Sequence, residues 1–164
     1  IRRYAEQLNF ERDEIFGIYN RRLELIAMAH LAFSQDAEHK SCAEFGVSVL
    51  KQARGRGFGS RLFDRAVMHA RNEGVSLLFI HALSENTAML KIARNAGATV
   101  QRDGSESEAY LALPQADLNS RMAQIVEQHY AELDYRLKVQ AKSFWDALAR
   151  LQAVRQGVRD ARAK

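Results

Sequence analysis

An α/β domain built on a mixed sheet is the fold this sequence predicts, and three observations carry the prediction. Two nearly continuous apolar runs, Glu44 to Leu50 and Val75 to Leu83, read as strands covered on both faces. Between them Leu62, Phe63, Ala66, Val67 and Ala70 fall on one face of a helical stretch. A strand–helix–strand unit of this length makes the two strands parallel. Further on, Asp103-Gly104 separates two short strand-like segments, Thr99 to Arg102 and Glu108 to Leu113, as in a hairpin. Antiparallel strands therefore join the parallel pair.

The remaining elements follow in order. Ile1, Tyr4, Ala5 and Leu8 keep helical spacing, so the chain is expected to open on a short amphipathic helix. Ile15 to Tyr19 and Leu23 to Phe33 flank Asn20-Arg21-Arg22 and read as a hairpin, although its turn lacks glycine. Ser34 to Lys40 is a polar connection into the strand at Glu44. Asn72-Glu73-Gly74 ends the helix after that strand. Ser84-Glu85-Asn86 caps a second helix with apolar positions at Met89, Ile92, Ala93 and Ala96, closed by Gly97. Pro114, the only proline, marks the end of the α/β part, which divides the chain into a domain over 1–113 and a helical extension over 114–164.

Composition sets the outer limits. With 164 residues, 47% of them apolar, the chain is long enough to bury a core as one domain. It contains no apolar run of membrane-spanning length and no segment reading as a signal peptide, so no membrane partner is expected. Because the first residue is Ile1, a preceding piece is allowed for. Cys42 is the single cysteine, which excludes an internal disulfide and makes a reducing cytoplasm the natural setting. His30, His39, His69, His81 and His129 lack metal-ligand spacing, so no metal is expected. His81 alone ends an apolar run, where side chains begin to face a cleft.

Residues 52–60 read Gln-Ala-Arg-Gly-Arg-Gly-Phe-Gly-Ser and lie between a strand and a helix. A strand entering a helix through such a turn aims free backbone N–H groups and the positive end of the helix dipole at one spot, which suits a phosphate. Gly55, Gly57 and Gly59 permit positive φ and leave no Cβ between amide and anion, so consecutive amides can form an anion nest. A nucleotide-hydrolysing loop would need Lys before Ser60, and a dinucleotide fingerprint would need Gly or Ala at that position; neither is present. Lys51, Arg54, Arg56, Arg61, Arg65 and Arg71 face Asp64 alone in this stretch, a local basic excess that suits a ligand with several phosphates and needs no nucleic acid. For Arg61, Arg65 and Arg71 a solvated helix face is the competing reading.

The segment Gln52-x-x-Gly55-x-Gly57, extended through Phe58 and Gly59, resembles the pyrophosphate loop of the GNAT superfamily of acyl-CoA-dependent N-acetyltransferases. Asn86 followed by Met89-Leu90-Lys91-Ile92-Ala93-Arg94 and Ala96-Gly97-Ala98 resembles the family's second motif, and Ala43-Glu44-Phe45-Gly46-Val47 its central strand. The resemblance covers about residues 1–113 and lacks the family's first strand. It implies a GNAT-type mixed sheet flanked by helices, truncated at its N-terminus, with acetyl-CoA as acyl donor and an amine acceptor, either a small molecule or a protein lysine. By the same resemblance Arg54, Gly55, Arg56, Gly57, Phe58, Gly59, Ser60 and Asn86 hold the cofactor, and backbone N–H groups near Val47 and Val49 polarise the thioester carbonyl while the pantetheine mimics an added strand.

Direct attack by a neutral amine needs a base and an acid for the departing thiolate. Glu44, at the start of a largely apolar strand, is the expected base, with Glu85 competing for the role. Many family members carry a Tyr seven residues after the motif Asn, where this chain has Ala93. Ser84, Tyr110 or a water would replace that acid. The same gap leaves a second reading, a non-catalytic acyl-CoA-binding module whose helical extension recruits a partner.

In the extension, Gln115 to Gln156 contains neither Gly nor Pro, and Leu118, Met122, Ile125, Leu133, Leu137, Phe144, Leu148 and Leu151 recur mostly three, four or seven apart. A continuous helix of this length would run ~63 Å, beyond what a domain of ~110 residues can cover. It either breaks near Leu133-Asp134-Tyr135 or pairs with a second chain; Phe144 and Trp145 favour a homodimer.

Overall fold

A computed structural model describes residues 12–34 and 41–162. The expected opening helix and most of the polar connection before Glu44 lie outside these residues. Six strands form one mixed sheet in the order β1-β2-β3-β4-β6-β5. They are β1 (Glu14–Tyr19), β2 (Leu25–Phe33), β3 (Cys42–Val49), β4 (Leu77–Leu83), β5 (Thr99–Asp103) and β6 (Glu106–Ala112). Helix α1 (Phe58–Asn72) joins β3 to β4, α2 (Thr87–Asn95) joins β4 to β5, and α3 (Leu118–Arg162) follows the sheet. All pairings are antiparallel except β3 with β4, as the strand–helix–strand reading requires.

The first turn forms without glycine because Asn20 supplies the missing hydrogen bonds. Its side-chain oxygen accepts from the N–H of Arg22 (2.8 Å) and of Glu24 (3.0 Å), and its amide donates to the Glu24 carboxylate (2.6 Å). Leu23 takes the left-handed conformation at φ 60° that glycine would otherwise fill.

The core lies between the sheet and the helices α1 and α2. Alternate residues of β3, Ala43 and Phe45, are buried on that face, and Phe45 meets Phe63 of α1 edge to face at 5.1 Å. Leu31, Leu78, Ile80, Leu62, Ala66, Ala70, Met89 and Ala93 belong to the same buried cluster. Below α1, Arg71 donates to the carbonyls of Pro114 (3.1 Å) and Gln115 (3.2 Å) and ties the end of the sheet to the start of α3. Arg71 is therefore a structural group here, and the solvated or ligand-bound alternatives give way to a clamp.

Helix α3 is one uninterrupted element of 45 residues, so the extension does not fold back as a hairpin. It first lies along α1 and β1: Gln124 hydrogen-bonds His69 (2.8 Å) and Asn72, Tyr135 packs on Tyr19 at 5.6 Å, and Lys138 donates to the Tyr19 carbonyl (3.1 Å).

Candidate active site at the strand splay

Strands β3 and β4 pair only from Cys42↔Leu77 to Glu44↔Phe79, although β3 continues to Val49 and β4 to Leu83. Beyond Glu44 they diverge. Backbone direction inside that gap follows from two hydrogen bonds at its ends. Leu50 N–H donates to Ile26 C=O and Ser34 N–H to Cys42 C=O, each at 3.0 Å, so even-numbered residues of β3 exchange hydrogen bonds with β2. Odd-numbered Val47 and Val49 consequently turn their N–H and C=O groups toward the gap. An extended ligand there would find an unpaired strand edge, and the Val49 carbonyl already accepts from Arg54 Nε at 3.2 Å.

At the top of the gap a short 3₁₀ turn, Lys51–Ala53, is anchored by buried Ala53 and leads into the glycine loop. Gly55 and Gly57 have φ of 75° and 77°, whereas Gly59, expected to share that conformation, lies within the first turn of α1 and takes no positive φ. A Cβ added at Gly55 or Gly57 would meet nothing within 4 Å, so the space beside both is open. Gly57 is the N-cap of α1; no side chain caps that end, and its first turn contains no acidic residue. The leading N–H groups of α1 thus point outward without a side-chain partner, the condition an anion needs. Arg56 lies over the Phe58 ring at 5.1 Å, and Gly59 faces Ile92 of α2 and Val49 of β3. Loop, splay and second helix meet at this point, and the residues present fit a ligand with a pyrophosphate and an extended arm.

The polar candidates occupy different levels. Glu44 is exposed and stands at the apex of the splay, level with Phe79. Ser84, Glu85 and Asn86 lie past the end of β4, Ser84 about 16 Å beyond Phe79 at ~3.3 Å per residue. The structure therefore does not bring Glu44 and Ser84 together. The Ser84 hydroxyl contacts the Gly104 carbonyl (3.2 Å), the Glu106 carbonyl (2.9 Å) and Ser107 Oγ (2.9 Å), so its hydroxyl is committed to holding the β5–β6 hairpin. Glu85 is exposed. The Asn86 carboxamide accepts from the N–H of Met89 at 3.2 Å and caps α2. Ala93 is wholly buried.

One constellation was spread across separate strands in the sequence and gathers only through sheet register. β4 pairs with β6 so that Phe79 opposes Tyr110 and His81 opposes Glu108. Phe79 and Tyr110 meet edge to face at 5.2 Å, Tyr110 donates to the Glu108 carboxylate, and His81 Nδ1 lies 3.6 Å from Glu108. The hydrogen bond to Glu108 holds the Tyr110 hydroxyl above its ordinary pKa, with partial desolvation and the carboxylate charge adding to the effect. Tyr110 therefore remains a proton donor throughout the neutral range. The period-2 alternation of residues 79, 81, 108 and 110 was the available signal, but it shows a shared face only once the strand pairing is known.

Among the described residues no group of His, Cys, Asp and Glu could hold a metal ion, and no helix is long and apolar enough to cross a membrane.

The fold and site define the class. The family model for the GNAT acetyltransferases matches residues 2–98, more than half of the chain. The chain belongs to the GNAT acetyltransferase family. Among solved structures, a point mutant of a cAMP-binding acyltransferase from Mycobacterium smegmatis is similar at 24% identity and a TM-score of 0.57; the match covers 71% of this chain and 35% of that one. The present chain thus spans about a third of that protein's length. A ribosomal-protein-alanine N-acetyltransferase from Brucella melitensis matches at 18% identity and a TM-score of 0.57, covering 68% of this chain and 76% of its own. yncA from Salmonella typhimurium, solved with its cofactor acetyl-CoA, matches at 19% identity and a TM-score of 0.50, covering 56% and 60%. At these identities the likeness concerns the fold. Comparison with curated protein sequences found no match.

Proposed function

We propose that this protein is an N-acetyltransferase that moves an acetyl group from acetyl-CoA to an amine by direct attack. The single observation supporting this reading is the splay of β3 from β4 beneath an uncapped, glycine-lined helix terminus. Acetyl-CoA, when bound, supplies a thioester carbonyl open to nucleophilic attack. Residues Arg54 to Ser60 bind its pyrophosphate through backbone N–H groups and guanidinium charge, and Asn86 fixes α2 beside them. Backbone N–H groups of Val47 and Val49 orient the arm and polarise the carbonyl. Glu44, at the apex, takes the ammonium proton of the acceptor directly or through a water, with Glu85 as the second candidate. Because Ser84 is engaged in the hairpin, Tyr110 or a water becomes the preferred proton source for the leaving thiolate. A cationic acceptor suits the carboxylates Glu44 and Glu108 on the open face. The protein acts as a homodimer paired through α3.

Release of free CoA from acetyl-CoA in the presence of a panel of amines tests the reading. Amine-dependent CoA release supports it. Acetyl-CoA binding with no release across the panel would favour the second reading, an acyl-CoA-binding module, for which buried Ala93 in place of the family's tyrosine is the specific observation.

A further inference from the structure

A second concave space lies away from the splay. This cavity measures about 860 Å³ and sits between the β1–β2 turn, the first turns of α1, and the stretch of α3 from Glu127 to Lys138. Six cationic side chains line it: Arg21, Arg22, Arg56, Arg61, Arg65 and Lys138. Against them stand Glu24, Glu127 and Asp134. Two of these carboxylates are already engaged, Glu24 with the Asn20 amide (2.6 Å) and Asp134 with Lys138 (2.5 Å). Among the described residues none of the five arginines makes an ion pair. Arg65 rests over the Phe16 ring at 5.2 Å and Arg56 over Phe58, contacts that position a guanidinium without neutralising it.

Converging like charges repel one another, so guanidinium groups that outnumber the carboxylates around one space and pair with none of them represent a cost that an anionic occupant would remove. The volume falls in the range of small-molecule pockets and far exceeds a single phosphate. We propose that this cavity is a second ligand site, separate from the acyl-donor site, for a small molecule of nucleotide size carrying two or more phosphate groups. Position on α1 separates the two sites. Gly59 faces α2 and β3, whereas Arg61, two residues on, is turned roughly 200° around the helix, and Arg65 continues on that side toward β1. Arg56 and Phe58, stacked on each other, form the partition that belongs to both the loop and the cavity wall. The α3 wall gives such a ligand a means of fastening the long helix to the domain.

The inference stands independently of the proposed acetyl transfer, and its test separates the two. Inorganic tripolyphosphate and ATP are titrated calorimetrically into the full chain, with and without saturating acetyl-CoA, at low salt. One equivalent of at least one probe is expected to bind in both conditions, and the exposed-turn variant R21Q/R22Q weakens it about tenfold or more, as does R61Q, while the melting shift produced by acetyl-CoA persists. Full displacement of both probes by acetyl-CoA would overturn the proposal, as would an equal loss of acetyl-CoA affinity in both variants. In either case these arginines serve the phosphates of the acyl donor. Binding of RNA but of neither small probe would overturn it as well. Failure of acetyl-CoA to bind at all would sink the acetyltransferase reading and leave the cavity assignment untouched.

Discussion

At the scale of single residues, reading the sequence located groups more successfully than it assigned their partners. Glu44 was legible because a carboxylate interrupts an apolar strand, and it stands at the apex of the splay. Glu44→Gln is expected to reduce turnover about 10²-fold or more near neutral pH and to remove the acidic limb of the pH–rate profile, while acetyl-CoA affinity is retained. Wild-type turnover in this variant, with the loss appearing in Glu85→Gln instead, would transfer the role to Glu85. The hydroxyl partners of Ser84 were illegible, since Gly104, Glu106 and Ser107 approach it only when the β5–β6 hairpin closes. The Tyr110–Glu108 pair lies two residues apart on one strand, so its shared face was available in the sequence, whereas Phe79 and His81 join it only through the β4–β6 register. The raised pKa of Tyr110 stabilises the fold while the hydroxyl is protonated. That contribution is present in full below the unfolded value near 10 and is lost as pH rises through the higher folded value. Spectrophotometric titration of the tyrosinates should show that Tyr110→Phe removes a group that ionises above the usual tyrosine value; loss of a group ionising at or below that value instead would contradict the Glu108 contact.

At the scale of elements, the order of strands and helices after Glu14 was legible because each carries its own period and punctuation. The β1–β2 turn needed more: nothing local in Asn20-Arg21-Arg22 announces that an asparagine side chain will replace the usual glycine, yet three hydrogen bonds from Asn20 fix the register that delivers Arg21 and Arg22 to the cavity rim. The glycine loop was legible from its spelling, and the structure adds why two of its glycines matter. Both have positive φ with open space beside them. A Cβ at position 57 would meet no other part of the protein within 4 Å, so the effects expected of valine there are backbone strain of ~1–3 kcal/mol and obstruction of the anion nest. Gly57→Val should therefore lower the melting temperature modestly and abolish the stabilisation by acetyl-CoA, which for a native-state ligand at a hundredfold excess over Kd is about 2.7 kcal/mol. An unchanged ligand-induced shift would disprove the role given to the loop.

At the scale of the whole molecule, α3 decides the architecture. The absence of Gly and Pro made a long helix legible, but not how it divides its surface. Gln124, Tyr135 and Lys138 face the domain, whereas Met122 (63% exposed), Val126 (51%), Leu133 (52%) and Leu137 (64%) do not, and Tyr130 (71%) stands at the border, at the rim of the cavity. Val126, Tyr130, Leu133 and Leu137 alternate four and three residues apart, a spacing that suits a second helix better than a sheet or a small ligand. Past Lys138 the element continues for 24 residues, ~36 Å, and in sequence Phe144, Ala147, Leu151 and Val154 extend the same repeat. A domain of this size cannot turn back to cover such a stripe, and an isolated helix leaving it in water would forgo ~1.5–3 kcal/mol for each large side chain that could be buried. Pairing with the α3 of a second copy satisfies both constraints. Multi-angle light scattering should give twice the chain mass for the intact protein and the single mass for Leu133→Glu combined with Leu137→Glu, in which two exposed positions become charged without touching the domain-facing side. An intact chain that remains monomeric at high concentration would rule out the homodimer and require a different occupant for the stripe.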